Sequence, residues 1–150
     1  MKKSILFLSF VLIISLSLQA TNPTHEFRAT WLTTGFGIDW PKTKNVELQK
    51  ESLCDILDVM AKGNMNAVCL QVRSFADAIY QSSYEPWSSI LTGTRGEDPG
   101  YDPLAFAIEE AHKRGLELHV WVNPFRVTSS GVLDTTDLVW KNAGQWIIKY

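Results

Sequence analysis

Apolar positions along the chain change between the two-residue period of a strand and the spacing of a helix. Residues 27–32 (FRATWL) are rich in strand-forming residues and predict a first strand. Residues 46–61 place Leu53, Leu57 and their neighbours on one face of a predicted helix. Residues 67–72 (AVCLQV) then predict a second, buried strand.

A second helix is predicted by the signals at its ends. It covers residues 102–114, where Asp102 suits the N-cap and Pro103 suits the first helical position. Residues 116–122 (LELHVWV) follow as a third strand. Strands that alternate with helices predict parallel pairing through right-handed crossovers. The connection over residues 74–100 is longer than usual, which is typical of a functional or mobile loop.

The two faces of the predicted strands differ in polarity. In the third strand Leu118 and Val120 share one face, whereas His119 and Trp121 share the other, and Asn123 follows just beyond its end. A face that becomes polar toward the carboxyl end is typical of a barrel interior with an open mouth. A doubly wound sheet is the alternative, and it favours apolar residues on both faces. The predicted fold class is α/β, as the N-terminal portion of a TIM-type (β/α)8 barrel with about three βα units.

The first twenty residues have the pattern of an export signal. Lys2 and Lys3 precede the apolar stretch Ile5–Leu18, and Gln19-Ala20 offers a cleavage site. The alternative is a membrane anchor, but the stretch is shorter than the roughly 20 residues that span a bilayer. We therefore expect residues 1–20 to direct export to the periplasm or the extracellular space. Residues 26–150 are expected to form the partial barrel domain.

The charge and cysteine content narrow the classes of partner. Removal of Lys2 and Lys3 leaves 12 basic and 16 acidic residues, a net charge of −4, which disfavours nucleic acid as a partner. A membrane contact is expected only through the export signal. Cys54 and Cys69 are predicted to be free structural thiols, and neither has metal-ligand spacing. The sequence contains no cofactor-binding motif, and it leaves the oligomeric state open.

Polar and aromatic side chains cluster after each predicted strand, where barrel sites lie. Sugars present C–H faces that pack on aromatic rings and hydroxyl groups that need fixed donors and acceptors. Such a lining suits a sugar, but clefts for many other ligands share it. The residues predicted to bind the substrate are Gln71, Arg73, Asp77, Trp87, His119, Asn123 and Arg126.

Structural alternatives exist for several of these residues. Arg73 and Asp77 would order the long loop if they paired with each other. Trp87 would serve loop packing, and His119 would be a hydrogen-bonded residue of the barrel interior. The sequence does not choose between these roles.

Four segments carry a resemblance to a known family. They are EFRATWLTTGFGIDWP, NAVCLQVRSFADAIYQSSYEPWSSILTG, DPGYDPLAFAIEEAHKRGLELHVWVNPFRV and WIIKY, and they extend from Glu26 to the end of the chain. Together they resemble the glycosyl-hydrolase-like family ten domain, which includes exported bacterial enzymes that act on the glycan strands of peptidoglycan. The resemblance implies a TIM-type barrel, glycoside hydrolysis and a glycan polymer as the substrate.

The resemblance also indicates where the catalytic acids lie. Family members continue after the WIIKY segment to a strand that ends in an Asp-Asp-Tyr signature, whereas this sequence stops at Tyr150. A full barrel needs about 250 residues, so we expect an N-terminal fragment whose essential acid lies in the other half. Glycoside hydrolysis normally uses two carboxyl groups. Asp77 and Asp39 are the catalytic candidates in this chain, with Glu85 as a third carboxylate. The alternative function is a non-catalytic glycan-binding envelope protein.

Overall fold

A computed structural model of the protein describes residues 26–128. The predicted export signal at residues 1–20 and the segment 146–150 lie outside the described residues. The strands are β1 (Ala29–Leu32), β2 (Ala67–Arg73) and β3 (Glu117–Val122). The α-helices are α1 (Val46–Lys62), α2 (Ser89–Thr92) and α3 (Pro103–Lys113), and a short 3-10 helix covers Gly35–Gly37.

The three strands form one parallel sheet in the order β1-β2-β3. Trp31, Cys69 and His119 lie in register across it. The predicted α/β class and the parallel pairing are therefore confirmed. The arrangement is compatible with part of a TIM-type barrel, while closure and the number of βα units stay predictions.

The predicted helix caps are present. Asn45 accepts a hydrogen bond from the Leu48 amide at 3.0 Å, which satisfies a donor that the first turn of α1 leaves unpaired. Asp102 does the same for the Ala105 amide at 2.9 Å. Local side-chain chemistry thus fixes where both long helices begin.

One face of the sheet packs against the long helices. Val68, Leu70 and Val72 of β2 belong to a buried cluster with Leu53 of α1 and Ala107 of α3. Each large aliphatic side chain in such a cluster contributes about 1.5–3 kcal/mol through its removal from water. This face anchors the strands, so their carboxyl ends are held at fixed positions relative to one another.

The other face is aromatic and largely open within the described residues. The rings of Trp31 and Trp121 pack edge to face with centroids 5.0 Å apart. Val120 and Val122 of β3 differ from the expectation for the helix-packed face, because both are exposed. β3 is an edge strand of the described sheet, and within residues 26–128 no helix follows it to cover these two side chains.

Both cysteines are free thiols, as predicted. Burial raises the pKa of Cys54, and the neighbouring Glu110 carboxylate raises it further. Across residues 26–128, no helix has the length and apolar character that a membrane crossing requires.

Candidate functional site

The segments that follow the three strands meet at one end of the sheet. The 3-10 turn follows β1, the long loop follows β2, and Asn123 follows β3 and donates its amide to the Arg73 carbonyl oxygen at 3.1 Å. A cleft of about 350 Å³ lies between the 3-10 turn and the long loop. It is lined by Thr34, Gly35, Phe36, Lys44, Phe75, Asp77, Ser88, Ser89, Ile90 and Gly93.

Gln71 holds the turn after β1 against β2. Its side-chain oxygen accepts hydrogen bonds from the Thr34 amide at 3.1 Å and from the Gly35 amide at 2.8 Å. The Thr34 hydroxyl donates to the Gln71 carbonyl oxygen at 2.9 Å. A Cβ atom at Gly35 would lie 3.2 Å from the Gln71 oxygen, so glycine permits this close approach. The predicted sugar-binding oxygen is therefore already bonded to two loop amides.

Arg73 pairs with Glu85 across the long loop. Its Nε and Nη2 atoms lie 2.6 and 2.5 Å from the same Glu85 oxygen, and the two side chains are only 14% and 15% exposed. Arg73 also donates to the Asn123 carbonyl oxygen. The pair with Asp77 that the sequence left open does not form. Arg73 instead connects the ends of β2 and β3 to the middle of the loop.

Asp77 is buried beside the cleft, where its bonds order the start of the loop. One carboxylate oxygen accepts from the Phe75 amide at 2.9 Å, and the other lies 3.6 Å from the Arg95 guanidinium. Arg95 also donates to the Ala76 carbonyl oxygen at 2.7 Å. Ala76 has a φ of 51°, a left-handed conformation that an alanine rarely adopts. Such strained residues persist only where surrounding contacts determine them, and they cluster at functional sites.

Asp39, the other catalytic candidate, closes the turn after β1. Its carboxylate accepts from the Thr33 amide at 2.8 Å, and its own amide donates to the Thr33 carbonyl oxygen at 3.2 Å. Asp39 is not among the residues that line the cleft of Asp77. The structure therefore places the two candidate carboxylates in different surroundings.

Trp87 and Asn123 both make structural contacts. Trp87 forms a short parallel bridge with Ala78, and its ring packs against the hydrophobic core. The Asn123 side-chain oxygen accepts from the Trp121 indole at 2.9 Å, which fixes the orientation of that ring. Asn123 also donates to the Ser74 carbonyl oxygen at 3.4 Å. Their predicted roles in binding sugar stay predictions.

His119 lies away from the carboxyl ends of the strands, where the cleft is. Its Nε2 atom is 3.0 Å from the Glu117 carboxylate, and its ring packs edge to face on Phe27 with centroids 5.4 Å apart. Glu117 begins β3, and Phe27 precedes β1. These contacts are therefore at the amino end of the sheet, opposite the cleft.

Arg126 lies over two aromatic rings that line the cleft. Its guanidinium carbon is 4.6 Å from the centroid of Phe75 and 5.8 Å from that of Phe36. The two rings pack edge to face at 5.1 Å, and Phe36 has a φ of 57°. The sequence predicted Arg126 but not the two phenylalanines. A signal for Phe36 was present, because an aromatic residue flanked by two glycines suits a turn that presents its ring.

Burial modifies the acid–base properties of two groups near this end of the sheet. Desolvation lowers the pKa of Lys44, whose ammonium donates to the Ile90 carbonyl oxygen. Burial also raises the pKa of Tyr80, and the Glu85 carboxylate adds to the effect while Arg73 opposes it. Among the described residues, no group of three His, Cys, Asp or Glu side chains could hold a metal ion.

Comparison with known proteins identifies the family. Glycosyl hydrolase YngK of Bacillus subtilis (strain 168) is 51% identical over 115 residues, which are 75% of this chain and 22% of that protein. Glycosyl hydrolase DigH of Escherichia coli (strain K12) is 40% identical over 114 residues, 70% of this chain and 26% of that protein. The chain thus spans about a quarter of the length of these curated relatives. The family model described as glycosyl hydrolase-like 10 matches residues 26–148, and the chain therefore belongs to this family.

Proposed function

We propose that this protein is an exported glycoside hydrolase that acts on the glycan strands of peptidoglycan. In this proposal the described residues form the first part of a TIM-type barrel, and the cleft at the strand ends belongs to its glycan-binding mouth. The observation that carries the proposal is the convergence of the segments after β1, β2 and β3 at one end of a parallel sheet. That end is where barrel enzymes hold their substrates. Membership of a glycosyl hydrolase-like family supports the reaction class.

The residues around the cleft divide into two proposed roles. Phe36 and Phe75 offer apolar ring faces to sugar C–H groups, and Arg126 offers hydrogen-bond donors beside them. Gln71 bonds to the turn after β1 through its side-chain oxygen, and Arg73 bonds to Glu85 and Asn123 through its three guanidinium nitrogens. We therefore assign these two residues to positioning, so that the loops keep the shape that fits a glycan.

The catalytic pair is proposed to include a carboxyl group from outside residues 26–128. Hydrolysis needs one proton donor and one base or nucleophile, about 5–5.5 Å apart for retention or 6.5–9.5 Å apart for inversion. Asp39, Asp77 and Glu85 each bond to a backbone amide or an arginine that orders a loop. Asp77 remains the candidate within the described residues, because it lines the cleft.

Release of reducing ends from purified peptidoglycan glycan strands tests the proposal. The protein expressed from its complete gene should release them, and Asp77→Asn should lower the rate if Asp77 takes part in the chemistry. Asp55→Asn serves as the matched control, because Asp55 is exposed on α1 and does not line the cleft. A complete absence of reducing ends, with glycan binding retained, would refute the hydrolase assignment.

The second candidate function is a non-catalytic glycan-binding envelope protein. The observation that favours it is the structural engagement of all three strand-end carboxylates. It predicts co-sedimentation of the protein with insoluble glycan and no release of reducing ends. Increasing the protein concentration separates this function from slow hydrolysis, because only an enzyme produces reducing ends in proportion to time and concentration.

Export is proposed from the pattern of residues 1–20. The mature protein should begin near Thr21, which mass spectrometry of its N-terminal peptide measures. Recovery of the peptide with Met1 attached from the envelope fraction would contradict cleavage and would favour a retained anchor.

A further inference from the structure

Arg126 is a cation without an acidic partner in the described part of the chain. Its guanidinium lies over the rings of Phe36 and Phe75, and the side chain is exposed. Guanidinium groups carry five N–H donors, and stacking on an aromatic face engages none of them as a hydrogen bond. The contacts of Arg126 therefore hold the group in place and leave donors free for a ligand.

The acids of the strand-end loops do not neutralise this cation. Asp39 accepts from the Thr33 amide, Asp77 lies beside Arg95, and Glu85 pairs with Arg73. Lys44 lines the same cleft and donates to carbonyl oxygens of α2, so it adds a second positive charge there. Among residues 26–128, neither Lys44 in this cleft nor Arg126 above its aromatic rings has an acidic partner, although the chain as a whole carries a net negative charge.

We propose that Arg126, Phe36 and Phe75 form a subsite for a sugar unit that bears a carboxylate. The guanidinium binds the carboxylate, and the exposed Phe36 ring packs on the C–H face of the same sugar. Arginine suits this role, because its planar fork matches both oxygens of a carboxylate. The inference rests on the proposed glycan-binding function and adds the charge of the unit that is recognised.

Two glycans that differ only in their carboxyl groups test the subsite. One is purified peptidoglycan glycan with its carboxylates intact, and the other is the same material after reduction of those groups to primary alcohols. Calorimetry with the protein from its complete gene should give about tenfold weaker binding to the reduced glycan, the effect of one charge-assisted contact. Arg126→Met should bind both glycans equally, at the weaker level.

Arg28→Met is the matched control. Arg28 is also an exposed arginine, but it precedes β1 at the opposite end of the sheet and pairs with Glu26. This variant should keep the wild-type preference for the carboxylate form. A homopolymer of uronic acid distinguishes the source of the carboxylate. Its binding indicates a carboxylate on the sugar ring itself, and its failure to bind indicates the ether-linked carboxylate of envelope glycan.

The outcomes separate this inference from the proposed function. Equal binding of both glycans by the wild-type protein, or an unchanged preference in Arg126→Met, would overturn the subsite and leave glycan binding intact. Failure of the wild-type protein to bind either glycan would overturn the proposed function, and the subsite with it.

Discussion

Replacement of Gln71 by leucine tests how the cleft keeps its shape. Gln71 is 3% exposed, and its side-chain oxygen accepts from the amides of Thr34 and Gly35. Leucine keeps a side chain of similar bulk but replaces the amide group with an apolar branch, which removes the acceptor. Each buried donor left without a partner costs about 1–3 kcal/mol. Two such donors predict a loss of roughly 2–6 kcal/mol, a large part of the 5–15 kcal/mol that stabilises an ordinary domain.

Amide hydrogen exchange measures the loss of local stability at the two amides themselves. In the protein expressed from its complete gene, the amides of Thr34 and Gly35 should exchange at least about 30-fold faster in Gln71→Leu, which corresponds to roughly 2 kcal/mol of local stability. Chemical denaturation should show a lower midpoint with an unchanged slope, because the variant unfolds from the same native surface.

Gln49→Leu provides the matched control. Gln49 is also a buried glutamine, but its side-chain nitrogen donates to the carbonyl oxygens of Thr43 and Leu91 at 2.8 and 2.7 Å. It should lower the overall stability without selectively exposing the Gly35 amide. Wild-type exchange rates at both turn amides in Gln71→Leu would refute the role assigned to this side chain.

Three further predictions concern stability. Arg73→Met should lower the free energy of unfolding by about 2 kcal/mol, between the values for exposed and buried ion pairs, and a double-mutant cycle with Glu85→Gln measures the coupling. Hydrogen bonds from a lysine and an arginine lower the pKa of Glu110 to about 2 from 4.5. Its ionised form therefore stabilises the fold above about pH 4.5, and this contribution is lost as the pH falls toward 2. Urea titrations at several pH values should show that Glu110→Gln weakens the pH dependence of the free energy of unfolding in this range. Leu57→Ala should cost about 2–5 kcal/mol because Leu57 lies in the core, whereas the exposed Val59→Ala should change stability by less than about 0.5 kcal/mol.

The secondary structure could be predicted because its signals are local. Asn45 and Asp102 cap their helices through side chains three residues from the amides they accept from, a relation visible in the sequence. The parallel order of the strands followed from the alternation of strands and helices. The exposure of Val120 was not predicted. The alternation of apolar and polar residues shows which side chains share a face of a strand, but it does not show whether another element covers that face.

The partners within the site were less predictable, because the path of the long loop decides them. Arg73 and Asp77 are four residues apart and were weighed as a pair, yet the chain brings Glu85 to Arg73 and Arg95 to Asp77. Phe36 was missed for a related reason. The Gly-Phe-Gly pattern indicates a turn, but the contact of Phe36 with a ring 39 positions later is not visible in any local pattern.

The tryptophan pair on the open face gives the protein a spectroscopic signal that reports the formation of its sheet. Trp31 belongs to β1 and Trp121 to β3, and their perpendicular rings are 5.0 Å apart although β2 lies between the two strands. Indoles at this separation couple their electronic transitions, and the resulting circular dichroism signal exists only while the outer strands hold their registers on β2. Comparison with Trp31→Phe isolates this signal, so formation of the three-stranded sheet can be followed in time without an attached dye.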